Sequence, residues 1–367
     1  MFEGLIYSKT SEIGHGVAIG QGSKIIGQNI IIEDGVKIGA HVEIICDNLK
    51  IGKDSKIGAH VKLKCPEIIL ADSCVLSGQL EVEFNEYFHL GRCSVIGKHV
   101  AMAGQGFKCG NFLWMKDHVI VGGGGAKGPR SYLTIGDQTS VFDRCYINLS
   151  EPVEIGSESA LSFNVSLLTH AAWQPALMGF GTRFSGIKIG DNSVIYLNSS
   201  IMPGIDIGSF TTVGAHSLVT KNIPDHCLAA GVPANILKEP TGYPKSLSLE
   251  EKIKFIEGVL RDYLTTLEIK EVKIVSESLC DKGEVVLLFA KEEIQLFFLK
   301  EKLHLSLGDC LFDLNELKMS GEASPLSEDL RDYLRRRAVK IHTGKSFKVL
   351  PLTNLSRLNA LKQKFLA

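Results

Sequence analysis

The residues best placed to do chemistry lie where an otherwise regular sequence pattern is interrupted. One interruption, between Leu167 and Ile189, contains His170 as its only histidine, with Trp173 and Arg183 in the same segment. A histidine has an ordinary pKa near ~6.5 and accepts a proton at neutral pH, whereas a normal carboxylate is too weak a base. A lone histidine is commonly a surface or core residue, but its place in this large interruption, next to Trp173, makes His170 the candidate general base.

A second interruption, predicted as a loop excursion over residues 103–134, holds four consecutive glycines at 122–125, followed by Lys127 and Arg130. A phosphate-binding Walker loop would continue with Gly-Lys-Ser/Thr and open a helix, and this segment does neither. We therefore predict a flexible excursion, and a position at the border of the acceptor site is an additional hypothesis. Lys127 and Arg130 are candidates for contacts with a phosphorylated substrate, and Trp173 and Arg183 for other substrate contacts.

The composition excludes several classes of protein. The 367 residues carry a net charge of −1, with 22% charged and 44% hydrophobic residues. This balance argues against a nucleic-acid binder, which usually has a basic domain, and against a disordered chain. No apolar run is long enough for a transmembrane segment, and the absence of a basic-then-apolar leader predicts a cytoplasmic protein. The nine cysteines include no C-x-x-C pair, so they are interpreted as small hydrophobes, without a disulfide or a metal site.

The elements that must position these residues follow from a six-residue repeat. Its last run is Ile189, Ile195, Ile201, Ile207, Val213 and Val219, and similar runs extend back to Ile13. A helix has a period near 3.6 residues and a strand a period of 2, so neither alone explains a period of six. Short strands joined by tight corners explain this period if each strand contributes one inward aliphatic residue and three strands make one coil. The fold class is therefore mainly β, a parallel β-helix, with glycine expected at corners because it tolerates positive φ.

Glycine usage also divides the chain. Only six of the 37 glycines lie after residue 241. We predict a β-helix domain over residues 1–240, with excursions at 103–134 and 168–188, and a small α+β domain over residues 246–367. In the second domain, a capping pattern at Ser248 predicts the first helix. Strands are predicted at 285–290, 294–299, 311–314 and 339–342, and a second helix at 326–337.

The segment from Gly190 onward carries a family resemblance. It contains GDN at 190–192, IMPGIDIG at 201–208, VGAHSLVTKNIP at 213–224 and AGVPAN at 230–235. These motifs closely resemble those of the hexapeptide-repeat acyltransferases, in the branch of the sugar O-acetyltransferases and xenobiotic acetyltransferases. The strong match covers about residues 135–238. The resemblance implies a left-handed β-helix, a homotrimer and acetyl-CoA as the acyl donor.

The resemblance also implies roles for particular residues. The family's catalytic histidine lies in a Thr-His sequence on a loop before this block, which corresponds to Thr169 and His170. Residues that match the family's acetyl-CoA contacts are Ala215, Thr220, Lys221, Gly231 and Pro233. The implied reaction is direct attack of an acceptor on acetyl-CoA, without an acyl-enzyme, with the oxyanion met by backbone N–H groups.

Three alternatives stay open at this stage. The acceptor is a hydroxyl of a sugar or glycan precursor, as in polysaccharide biosynthesis, or the amine of a nucleotide-linked amino sugar, since His170 would serve both. The third alternative is a non-catalytic β-helix scaffold. The family usually has Trp-Ile-Gly where this chain has Val194-Ile195-Tyr196, and the Tyr196 side chain would narrow the donor groove.

Overall fold

A computed structural model describes residues 5–126, 128–278, 284–289, 292–341, 343 and 350. The chain forms two compact units, Met1–Lys245 and Ser246–Ala367. The first unit is a parallel β-helix with three faces, each strand pairing with its counterpart one coil later. We number the faces in the order in which the chain first reaches them, and name each edge by the two faces that it joins.

The strands of the first face are Leu5–Tyr7, Lys24–Ile26, Glu43–Ile45, Lys62–Lys64, Glu81–Leu90, Ala101–Cys109, Ile120–Gly122, Tyr146–Asn148, Ser166–Leu167, Ser200–Ile201 and Leu218–Val219. The second face shares Glu81–Leu90 and Ala101–Cys109, and adds Thr10–Ile13, Asn29–Ile32, Asn48–Ile51, Glu67–Leu70, Tyr132–Ile135, Val153–Ile155, Ile187–Ile189 and Asp206–Ile207. The third face contains Ala18–Ile19, Lys37–Ile38, Lys56–Ile57, Val75–Leu76, Val95–Ile96, Trp114–Met115, Ser140–Val141, Ala160–Leu161, Val194–Ile195, Thr212–Val213, Leu228–Gly231 and the antiparallel Ala234–Lys238.

The inward aliphatic residues form one continuous core, as the six-residue repeat predicts. In the cleanest run, every residue from Ile189 to Val219 that the repeat marks is at most 3% exposed. In the N-terminal coils the spacing between paired residues is 19, because the second face has four-residue strands with two inward side chains, such as Ile30 and Ile32. A strict period of six therefore fails locally, and Ile26 faces outward while Ile25 is buried.

Glycines that directly follow an inward aliphatic residue have a different role from the one predicted, whereas Gly16, Gly22 and Gly35 have the predicted positive φ at corners. Gly190 follows the inward Ile189, and its φ is not positive; the positive φ belongs to Asn192. A Cβ at Gly190 would lie 2.6 Å from the backbone nitrogen of Ser209 in the next coil. The glycine is thus required by the close approach of stacked coils. The following Asp191 binds the previous coil, because its Oδ1 accepts the backbone N–H of Ser157 at 2.6 Å.

The predicted excursion at 103–134 is too broad. Strands occupy about half of that range, and the described residues outside the coils are 123–126 and 128–131, here called the glycine loop. The repeat is hidden there because the inward positions are filled by residues such as Phe107 and Met115, which lie outside the Ile/Val/Leu pattern. Phe107 stacks on Phe88 at 5.5 Å between ring centroids. The second excursion, here called the His170 loop, spans residues 168–186 before Ile187–Ile189 resumes the coil.

The second unit has its own core and an α+β architecture. Helix Leu249–Ile269 begins with a capping box of Ser248 and Glu251, and helix Pro325–Arg336 follows the sheet. The six-stranded antiparallel sheet consists of Lys273–Ser278, Glu284–Phe289, Glu292–Leu299, His304–Leu307, Cys310–Asp313 and Lys318–Ser320. The predicted strand at 339–342 is wrong for residues 339–341, which are not in a strand, and residue 342 lies outside the described residues.

Neither of the two described α-helices is long and apolar enough to cross a membrane. Several thiols lie inside the β-helix, as the cysteine interpretation predicts. Burial raises the pKa of Cys65, Cys74 and Cys145 to about 12. These thiols stay protonated at neutral pH, so they are poor nucleophiles.

Candidate functional site

His170 lies at the edge where the first face turns into the second. It follows the inward Leu167 of strand Ser166–Leu167, and strand His170–Ala171 pairs antiparallel with Arg183–Phe184 across the His170 loop. The imidazole stacks on the ring of Phe184, with centroids 5.6 Å apart and planes inclined by 13°. The half-buried ring is therefore held from one side by its own loop.

The Nδ1 atom of His170 contacts two side chains of the preceding coil. Asn148 Oδ1 lies 2.8 Å away and Ser150 Oγ 2.9 Å away. The Asn148 amide has a fixed orientation, since its Nδ2 donates to the carbonyls of Gly122 at 3.1 Å and Gly124 at 3.2 Å. Its Oδ1 is therefore an acceptor, and Nδ1 of His170 must carry the hydrogen between them. In the neutral ring Nε2 is then the unprotonated nitrogen.

The rest of this network fixes the remaining hydrogens. The backbone N–H groups of Ser150 and Glu151 donate to Thr169 Oγ1 at 3.0 and 3.3 Å, so the Thr169 hydroxyl donates to Asn148 Oδ1 at 2.6 Å. The Ser150 hydroxyl donates to the Gly124 carbonyl. Asn148, Ser150 and Thr169 are all buried. A closed, buried network of this kind holds the imidazole in one tautomer and one orientation.

The glycine loop passes beside the reactive side of the imidazole. A Cβ at Gly124 would lie 3.5 Å from His170 Cε1 and 3.7 Å from Nε2, so the missing side chain leaves that space open. Gly124 is itself exposed. Gly123 and Gly125 have φ of 81° and 83°, which favour glycine over other residues. The run of glycines thus lets the loop come close to His170 and keeps Nε2 accessible.

Of the two residues predicted to contact a phosphorylated substrate, Lys127 and Arg130, the structure describes Arg130, which contacts a carboxylate of the protein itself. The Arg130 guanidinium pairs with the carboxylate of Glu151, with Nε 2.6 Å from Oε2. This hydrogen bond lowers the pKa of the buried Glu151 below its ordinary value of 4.5. The charge of Arg130 is therefore already matched, and its visible role is to hold the glycine loop against the coil. Lys127 lies outside the described residues.

The other two substrate candidates lie on the His170 loop. Trp173 is 94% exposed. The aromatic ring that stacks on His170 is that of Phe184. Arg183 is exposed and donates to the carbonyl of Gly204 at 3.4 Å. Sequence reasoning missed Asn148, Ser150 and Phe184. The available signal was that Asn148 is polar where the preceding coil has Gly122, about one coil before His170.

The candidate donor residues lie on two edges of the β-helix. Thr220 and Lys221 are on the same first–second edge as His170, two coils further along, which is ~10 Å at one strand spacing per coil. On the third face, Ala215 follows strand Thr212–Val213, Gly231 ends strand Leu228–Gly231 and Pro233 comes two residues later, near the edge that leads to the first face. All five are exposed. Tyr196, 47% exposed, lies on that third–first edge one coil before Ala215.

Within the described ranges, no three His, Cys, Asp or Glu side chains are grouped as metal ligands. The functional groups of the site are thus an oriented imidazole, its amide and hydroxyl acceptors, and the backbone of the glycine loop.

Comparison with known proteins identifies a related group of enzymes. The galactoside O-acetyltransferase of Escherichia coli K12 is 33% identical over 119 residues, which are 30% of this chain and 59% of that enzyme. The chain is similar to hexapeptide-repeat acetyltransferases. This confirms the resemblance predicted from residues 190–235. This chain spans about six-tenths of the length of that enzyme. No family model matches this chain.

Two solved structures are similar to part of this chain. A hexapeptide-repeat acetyltransferase from Vibrio cholerae, solved with acetyl-CoA, is 24% identical; the match covers 41% of this chain and 70% of that chain, with a TM-score of 0.30. A maltose O-acetyltransferase from Clostridium difficile is 27% identical, with the same coverage of both chains and a TM-score of 0.29.

Proposed function

We propose that this protein transfers an acetyl group from acetyl-CoA to a hydroxyl of a sugar or glycan precursor, with His170 as general base. The observation that carries this proposal is the hydrogen bond from His170 Nδ1 to Asn148 Oδ1 at 2.8 Å, which leaves Nε2 as the proton acceptor beside the open Gly124. The sugar acetyltransferase in the comparison supports the acceptor class.

The chain's own residues account for both proton transfers. In the first step, His170 Nε2 takes the proton from the acceptor hydroxyl while the acceptor oxygen bonds to the thioester carbon. Asn148 Oδ1 accepts the Nδ1–H bond and thereby stabilises the imidazolium. In the second step, Nε2 returns the proton to the departing sulfur, and the carbonyl re-forms as an acetyl ester. General-base help of this kind contributes about 10²–10⁴-fold.

Direct attack, without an acetyl-enzyme, fits the surroundings of His170. Ser150 is the serine in contact with the ring, but it lies at Nδ1, and its hydrogen goes to the Gly124 carbonyl. It therefore cannot lose a proton to Nε2. The thiol of Cys145 is buried, and burial raises its pKa to about 12. The acceptor hydroxyl is the nucleophile that this geometry favours.

The donor supplies a thioester that is activated towards attack. Thr220 and Lys221 would hold it on the edge shared with His170, with the Lys221 ammonium towards its phosphates. Ala215, Gly231 and Pro233 lie across the first face, on the other edge. A groove between two copies would bring one copy's first–second edge against the other's third–first edge. We therefore propose a homotrimer with sites between its subunits, and the balanced composition supports the proposal of a cytoplasmic location.

The proposal is tested by thiol release from acetyl-CoA across a panel of sugars, amino sugars and nucleotide sugars. We expect steady turnover with hydroxyl acceptors and, after acid quench, no radioactive acetyl group on the protein when labelled donor is used alone. Turnover confined to amino sugars would replace the O-acetyl assignment by N-acetylation. A stable labelled protein would contradict direct attack, and no turnover with any acceptor would favour the scaffold.

A further inference from the structure

An aromatic patch lies on the outer surface of the second face, outside the acetyltransferase-like segment. Tyr87 and Tyr132 extend from strands Glu81–Leu90 and Tyr132–Ile135, which flank strand Ala101–Cys109. Their ring centroids are 6.1 Å apart, with planes inclined by 26°. A Cβ at Gly106, between them, would lie 2.5 Å from the Tyr87 ring. Glycine at this position thus allows the Tyr87 ring to lie against the sheet.

Carboxylates and an imidazole border the two rings. The Tyr132 hydroxyl donates to Glu86 Oε1 at 2.6 Å. His89 Nε2 lies 2.7 Å from Glu67 Oε2, and the His89 ring is 5.1 Å from that of Tyr87. The Glu67 side chain is 46% exposed and that of His89 31% exposed. The patch therefore combines flat apolar surface with hydrogen-bonding groups that are open to solvent.

The fold itself does not require aromatic residues at these positions. The earlier coils of the second face carry an amide ladder, in which Asn29 Nδ2 donates to Asn48 Oδ1 at 2.8 Å. The first face carries ion pairs such as Lys62–Glu81. Aromatic rings bring a large apolar area and a polar tip to a contact, which suits binding more than solvation.

The patch is continuous with the His170 site. Arg130, two residues before Tyr132, pairs with Glu151, and the neighbouring Ser150 contacts His170. On the second face, the coil of Tyr132 is two coils and that of Tyr87 four coils from the coil of His170. At one strand spacing per coil, these steps are ~10 and ~19 Å. A single sugar unit at His170 would not reach both rings, whereas a chain of several units would.

We propose that the acceptor is an oligosaccharide or glycan chain and that this patch binds its units beyond the one that is acetylated. The proposal rests on the function proposed above. The apolar faces of the sugar rings pack on Tyr87 and Tyr132. The sugar hydroxyls donate to the carboxylates of Glu67 and Glu86, in the pattern of a site with few polar groups around an apolar surface.

Binding is tested first, because it needs no knowledge of the acceptor. The full-length protein, Tyr87→Ala, Gly106→Val and the control Tyr7→Ala are applied to a glycan array. Tyr7 is an exposed tyrosine of the first coil, away from the patch. We expect the wild type and Tyr7→Ala to retain oligosaccharides. The two patch variants should bind them about 10-fold more weakly, as the loss of one aromatic contact implies. Gly106→Val displaces the ring without removing it.

Turnover is the second readout. With maltose to maltohexaose and the corresponding N-acetylglucosamine oligomers, we expect kcat/KM of the wild type to rise with chain length, and Tyr87→Ala to abolish the rise while KM for acetyl-CoA is unchanged. No retained glycan, or equal retention by all four proteins, would overturn the patch as a glycan site. Dissociation of the patch variants into monomers in light scattering would make it a subunit contact instead. Glycan retention without any thiol release would contradict the proposed function but not the patch.

Discussion

Replacing Asn148 by leucine removes one of the two acceptors that hold His170 Nδ1 and keeps the side-chain volume similar. The cost in folding stability is moderate because each former partner retains another bond. The Gly122 carbonyl still accepts the N–H of Leu149 at 3.1 Å, and the Gly124 carbonyl still accepts the Ser150 hydroxyl. Thr169 Oγ1 lies 3.2 Å from the backbone carbonyl of residue 148. We therefore expect a loss of about 1–3 kcal/mol in total.

The effect on rate depends on the acceptor that remains. After Asn148→Leu, Ser150 Oγ at 2.9 Å can still hold Nδ1–H, so we expect kcat to fall only about 10-fold. Ser150→Ala alone keeps the Asn148 contact and should cost less. The double variant leaves Nδ1 of His170 without either of these hydrogen-bond acceptors, and its kcat should fall about 10²–10³-fold. This loss is larger than the product of the single effects because each contact can substitute for the other.

The assay is thiol release at saturating substrates, with urea unfolding of each variant at the same temperature. KM for acetyl-CoA should change little, since neither side chain is a donor residue. This split between kcat and KM separates loss of orientation from loss of structure. A folded double variant with a rate within about threefold of the wild type would refute the claim that these contacts position the base.

Three further predictions concern the glycine loop, its ion pair and the division of the chain into two units. Gly124→Ala places a methyl group 3.5 Å from His170 Cε1, so KM for the acceptor should rise about 10-fold while KM for acetyl-CoA is unchanged; equal changes in both would contradict an acceptor-side role for the glycine loop. Glu151→Gln removes a carboxylate whose pKa is lowered by Arg130, so the stability that it contributes is present above pH 4.5 and lost as pH falls below it. Urea midpoints should therefore differ between wild type and variant at pH 7 and converge at pH 3, and parallel curves would contradict the ion pair. A chain ending at Lys245 should be folded and trimeric and should bind acetyl-CoA by calorimetry, because each unit has its own core; soluble protein without donor binding would place donor contacts in the second unit.

The sequence was sufficient for the repeat architecture, whereas the catalytic role of His170 stays a prediction. Inward residues such as Ile201 recur every six positions because each of the three strands of a regular coil contributes one core side chain, so the pattern is visible without a structure. The partners of His170 were not predictable in this way. Asn148 and Ser150 reach it across a coil boundary, and their register depends on coil lengths that vary between the regular N-terminal coils and those interrupted by loops.

The second unit illustrates the same limit on a smaller scale. The helix at Ser248 was predicted from a local capping pattern, which the structure contains. The strands Lys273–Ser278, His304–Leu307 and Lys318–Ser320 were missed, because short strands in a meander are defined by their neighbours as much as by their own residues.

The central claim, that His170 is the general base, is tested most directly by the turnover of His170→Asn with the best acceptor of the panel. His118→Asn is the matched control: an exposed corner histidine with φ of 59°, a conformation that asparagine also tolerates. We predict that His170→Asn lowers kcat by about 10²-fold or more with KM for acetyl-CoA nearly unchanged, and that His118→Asn has the wild-type rate. A wild-type rate for a folded His170→Asn protein would contradict the account and remove His170 from the mechanism.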